Sequence, residues 1–141
     1  MIVRAAPMEH IPWLLERAKF NASMEIKAIE AVDEQGRIHG MAGFDGWTPN
    51  SVVLTIALED PTCLRRLIHP IFHYAFVQAD RGVALATIVG SNKRSITLCR
   101  HAGFREVYRV RDGVKPGEDL VLMEMRREEC RWIPRANRKA A

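Results

Sequence analysis

The chain has 141 residues, 48% of them hydrophobic and 27% charged, with a formal charge of +4, which is the size and balance of one globular domain. A chain of this length buries about 68–70% of its unfolded surface, so a core forms without a metal or disulfide staple. No apolar run reaches the roughly 18–20 residues that cross a bilayer, and Met1-Ile2-Val3-Arg4 does not open a secretory leader. Cys63, Cys99 and Cys130 are widely spaced with no CxxC pair, so a disulfide framework or thiolate metal site is not expected. A reducing, cytoplasmic compartment is.

Met1–Ala5 reads as a short first strand, and Met8–Phe20 as a helix with Ile11, Leu14, Leu15 and Ala18 on one face. Lys27–Val32 and Arg37–Phe44 flank the polar turn Asp33-Glu34-Gln35-Gly36, which predicts a hairpin. After the turn Trp47-Thr48-Pro49-Asn50, the run Ser51–Leu58 is almost continuously apolar and β-branched. It predicts a central strand covered on both faces. Asp60-Pro61 supplies a helix cap and a proline at the first helical position. The helical pattern that follows runs to Asp80, and Pro70 must kink or split it.

Val83–Val89 is a second buried strand, and Ser91-Asn92 caps a helix that ends at Gly103. Phe104–Val110 and Leu120–Met125 close the series, joined by a loop rich in Asp, Gly and Pro. Strand, helix and strand in the middle imply a parallel pair joined by a right-handed crossover. Hairpins on both sides make the sheet mixed. Residues 1–127 are read as the folded domain. The segment 128–141, in a stretch carrying Arg126, Arg127, Arg131, Arg135, Arg138 and Lys139, is read as a solvated basic tail. It has no aromatic stacking pattern of the kind that reads nucleic acid.

Ile88-Val89-Gly90-Ser91-Asn92, followed by Ser95, Leu98 and Gly103-Phe104, resembles the "V…N..A..LY…GF" stretch of the GNAT acyltransferases. Asp119–Met125 resembles that family's closing strand, and the likeness covers nearly the whole chain. Trp47-Thr48-Pro49-Asn50-Ser51 with Glu128-Glu129-Cys130-Arg131-Trp132 is similar to small acyltransferase-like proteins of phages and prophages. The resemblance implies an α+β fold with a mixed sheet of six or seven strands and helices on both faces. It also implies N-acyl transfer from acetyl-CoA or another acyl-CoA to an amine acceptor in a ternary complex, by an enzyme that forms a homodimer. In that fold two parallel strands splay apart, here Ser51–Leu58 and Val83–Val89. The pantetheine arm lies between them, beside Ile56, Leu58, Asn92 and Ser95, and a backbone N–H near Leu58 faces the thioester oxygen.

Three departures from the family pattern bear on chemistry. The family's pyrophosphate loop [RQ]-x-x-G-x-[GA] is matched in place by Thr62–Leu67, which holds no glycine. Arg65 and Arg66 could grip phosphate there, or be ordinary surface arginines. Cys99 stands where many members carry a proton-donating tyrosine, and is either an acid or core packing. Glu59 is the candidate base, or the acidic start of a helix; His39 and Asp45 are weaker candidates. His69 and His73 lack the glutamate of a metal-binding HExxH. The competing reading is a non-catalytic GNAT-like interaction protein of phage origin.

Overall fold

The computed structural model describes residues 26–139, together with residues 1, 2, 4, 5, 7–10 and 13. The first hairpin is β1 (Lys27–Val32) and β2 (Ile38–Asp45), followed by β3 (Ser51–Leu58). Helix α1 (Leu64–Phe72) leads to β4 (Val83–Val89), and α2 (Lys93–Ala102) to the hairpin of β5 (Arg105–Lys115) and β6 (Glu118–Arg126). They make one six-stranded mixed sheet in the order β1-β2-β3-β4-β6-β5. Among the described strands only β3 and β4 are parallel neighbours. The expected helix over Met8–Phe20 lies almost wholly outside the described residues. Met1, Ile2, Arg4 and Ala5 form no strand.

Registers Phe44↔Leu54, Val52↔Ala84 and Ala84↔Met125 put these residues on one face of the sheet. There they are buried with Leu67, Ile71 and Phe72 of α1 and Ile96 of α2. Both described helices therefore pack on the same face. The two central strands differ from expectation: they alternate. Val53 and Leu85 on the second face are half-buried, while Thr55, Ala57, Thr87 and Val89 are exposed. Continuous apolar character reads as double burial, but threonine and alanine tolerate an open face.

Pro70 does not split α1, which runs through it to Phe72. Its ring offers no N–H, and one turn later the ladder widens into a π-turn over His73–Gln78, with Ala79 N–H donating to Tyr74 C=O at 2.8 Å. The loop expected between the last two strands is mostly strand. β5 and β6 extend to a tight turn at Pro116-Gly117, with Gly117 at φ +83°. Where the ladder breaks after Val110, side chains replace it: Asp119 Oδ1 accepts from Asp112 N–H, and Asp112 Oδ1 from Gly117 N–H.

The expected solvated tail is also corrected, for residues 128–139. Cys130 and Ile133 are buried in the core. Trp132 Nε1 donates to Ala102 C=O at 2.7 Å, Arg131 donates to His101 C=O, and His69 Nδ1 meets Trp132 C=O at 3.0 Å. Arg127 is buried and pairs with Asp80, while its Nε donates to Asn137 C=O. The apolar residues among the charges dock the segment across the ends of both helices, and two of its groups satisfy carbonyls at the end of α2. Ile133→Ala should therefore cost about 2–5 kcal/mol of stability, as deletion of a buried side chain does. Lys139→Ala should change stability by less than about 0.5 kcal/mol. Denaturant unfolding of the two variants checks the contrast.

Candidate functional site

The parallel pair is held by three registers only, Ser51↔Val83, Val52↔Ala84 and Val53↔Leu85. Beyond them β3 continues against β2 to Leu58, and β4 against β6 to Val89. The strands thus part at their C-terminal ends, as expected. Glu59 N–H donates to His39 C=O at 2.9 Å. By the alternation of an antiparallel ladder, the amides of Ile56 and Leu58 then point away from β2, toward β4. No β4 residue pairs with them. Such edge groups want partners.

The gap opens into a cavity of about 250 Å³. Its walls are Leu54, Ile56, Ala86 and Ile88 of the strands, Leu64 of α1, and Cys99 and Phe104 beyond. Polar groups at its margin are Thr55, Thr87, Asn92 and Ser95. Asn92 Oδ1 also accepts from Ser95 N–H at 3.2 Å, capping α2. Burial pushes the Cys99 thiol up from its ordinary value, so it keeps its proton at neutral pH.

Of the residues singled out by sequence, Ile56, Asn92, Ser95 and Cys99 meet at this cavity; Leu58 is not in its lining, and its amide points into the gap between β3 and β4. Arg66 does not; it lines a separate hollow with Asp33, His39 and Asp60. Arg65 is exposed on α1. Glu59 is exposed at the end of β3, 3.6 Å from Arg37. A bulge at the end of the first hairpin, where Ala31 pairs Gly40 but Val32 pairs Ile38, leaves His39 as the extra residue. Its imidazole bonds Asp33 at 2.8 Å. The sequence reading missed Thr55 and Thr87, whose only signal was a polar residue at matched places in two apolar strands. Asp60 caps the helix start as expected and puts a negative charge there: its carboxylate accepts from Thr62 N–H at 3.0 Å and from Thr62 Oγ1 at 2.8 Å.

No family model matches the sequence, and no curated protein does. Solved structures match the fold. A point mutant of spermidine N-acetyltransferase SpeG from Vibrio cholerae superposes with a TM-score of 0.68 at 14% identity, over 92% of this chain and 78% of that one. The same enzyme in complex with CoA and spermine gives 0.66 at 14% identity, over 91% and 80%. The chain has the GNAT fold. A dodecameric form of that enzyme, in an intermediate state, gives 0.66 at 15%, over 86% and 75%. Among the described residues of this GNAT-like chain, no cluster of His, Cys, Asp or Glu is arranged to hold a metal, and no helix is long and apolar enough to cross a membrane.

Thiolate is the form that alkylates, so the raised Cys99 pKa sets a direction. Iodoacetamide should modify Cys99 slowly at pH 7–8, with a rate still climbing above pH 9, while the buried Cys63 and Cys130 stay unmodified. Peptide mass spectrometry at several pH values reads this. A rate that levels off below pH 8 would contradict the buried-thiol assignment.

Proposed function

We propose that the protein is an N-acyltransferase that moves an acetyl or other acyl group from a coenzyme A thioester to an amine. The observation that carries this reading is the parting of β3 and β4 beside an apolar cavity, with the Ile56 and Leu58 amides turned into the gap. A pantetheine arm is an extended chain with two amides, and it can pair with such an edge as another strand would. Asn92 and Ser95 stand at the margin of the same cavity, placed to border the arm. The thioester supplies an activated acyl carbonyl. Leu58 N–H donates to its oxygen as negative charge builds there during amine attack. Cys99, kept protonated by burial, holds the proton that the departing sulfur needs. Glu59, at the rim where β3 ends, takes the proton released by the amine. Free thiols at Cys63, Cys99 and Cys130 support a cytoplasmic setting, and the oligomeric neighbour supports self-association, a homodimer being the simplest form.

A second reading, a GNAT-like interaction protein of phage kind without catalysis, is favoured by one feature. The helix start that would receive pyrophosphate has no glycine in Thr62–Leu67. The two readings part on one assay. Thiol release from acetyl-CoA is followed with a panel of amines that begins with spermidine and spermine, the molecules named for the neighbours. Amine-dependent release is expected; none with any amine, and no binding of the thioester, would leave the interaction protein. With an acceptor in hand, Cys99→Ala should lower kcat by about 10–100-fold with little change in KM for the donor. An unchanged kcat would make Cys99 a packing residue.

A further inference from the structure

The backbone donors at the start of α1 can be counted one by one. Asp60 N–H turns back to His39 C=O, and Pro61 has none to give. Thr62 N–H is taken by the Asp60 carboxylate, and Cys63 N–H by Asp60 C=O at 3.0 Å. Leu64 N–H bonds back to Pro61 and Thr62. The donors from Asp60 to Leu64, those that precede and open α1, are therefore occupied within the chain. Asp60 adds a negative charge at the same spot, and its bonds from Thr62 hold its carboxyl below the usual carboxylate range.

The entrance to α2 is answered in the same way. Ser91 N–H donates to Glu118 Oε1 at 3.0 Å, Lys93 N–H to Ser91 C=O, and Ser95 N–H to Asn92 Oδ1. A carboxylate thus stands at each of the two helix starts, Asp60 at α1 and Glu118 at α2. Arg66 lines the outer hollow together with Asp60 and Thr62, and not the cavity. The cavity presents the opposite picture. It is apolar, carries unpaired strand edges, and at about 250 Å³ falls just under the range of about 300–1,000 Å³ typical of small-molecule sites. It suits a narrow chain.

Resting on the acyltransferase reading, we propose that this protein recognises its donor by the acyl group and pantetheine arm alone. Its substrate class is then S-acyl pantetheine thioesters at large, and the nucleotide of coenzyme A adds nothing to binding. A pyrophosphate brought to α1 must displace the Asp60 carboxylate from Thr62 N–H or lie beside it unpaired. Neither gives the net attraction that an open helix start provides.

Calorimetric titration with acetyl-CoA and with S-acetylpantetheine tests this. Dissociation constants within about threefold of each other are expected. Acetyl-CoA bound more than about tenfold tighter, a difference of about 1.4 kcal/mol, would overturn the proposal while leaving the acyltransferase reading intact. Saturable binding of neither would overturn both. Two variants then address Asp60 itself. Asp60→Ala opens Thr62 N–H, and Asp60→Asn keeps a capping oxygen but removes the charge, so helix and fold are retained. Both should shift preference toward acetyl-CoA, by about three- to tenfold in the alanine variant, with S-acetylpantetheine unchanged. An unchanged ratio in both variants, each still folded with one cooperative unfolding transition, would show that Asp60 does not close the site.

Discussion

Three residue pairs join β3 to β4, and the placing of the cleft follows from where they stop. The closed end is clamped. Gly82 and Val83 N–H both donate to Asn50 C=O, Gly82 N–H also meets Asn50 Oδ1, and Arg127 N–H donates to Gly82 C=O. A Cβ at residue 82 would lie 2.6 Å from Asn50 Oδ1, so any side chain there would force the Asn50 amide off this contact. At the open end each strand stays fully paired on its outer side, β3 with β2 and β4 with β6. The gap is thus a property of two rigid half-sheets hinged at one end, and not of a loose strand. Its unpaired amides persist because closing the gap would break the outer ladders or the packing of α2 beneath.

The parts of this arrangement that sequence made legible are those written locally. Ser51–Leu58 and Val83–Val89 are apolar runs bounded by turn residues, and their observed limits match. Asn92 at the start of α2 and Gly103 at its end, with φ +117°, are caps whose chemistry needs no distant partner. What was not legible depends on residues far apart in the chain. Arg127 is buried because Asp80 and Asn137 meet it, and a run of arginines gives no hint of that. Cys130, Trp132 and Ile133 are too few and too scattered among charges to read as core, yet they hold the ends of α1 and α2 together. The Asp, Gly and Pro residues between β5 and β6 read as a loop. Asp112 and Asp119 side chains replace the missing ladder bonds, so the hairpin continues.

The same limit applies to the site. Ile56, Asn92, Ser95 and Cys99 share one cavity because they lie on elements whose position the fold class dictates. Arg65, Arg66 and Glu59 lie where side-chain direction decides, and helix α1 turns Leu64 to the cavity and Arg66 to the other side. Asp60 shows how one residue can serve stability against binding. As an N-cap it contributes about 0.5–2 kcal/mol to a helix. The Thr62 N–H that donates to this cap cannot at the same time donate to a phosphate, and the charge that favours the helix dipole repels one. Local stability and nucleotide recognition compete for the same donors.

The central claim is that the open edge of β3 is the surface on which a thioester's pantetheine arm lies. Amide hydrogen exchange resolved by residue tests it directly, with the protein compared alone and saturated with S-acetylpantetheine. The amides of Ile56 and Leu58, which point into the gap, should become protected when the arm pairs with them. Those of Thr55 and Ala57, already bonded to β2 in the ladder alternation, should exchange as before. Protection confined to residues outside the cleft, with Ile56 and Leu58 unchanged under saturation, would contradict the account.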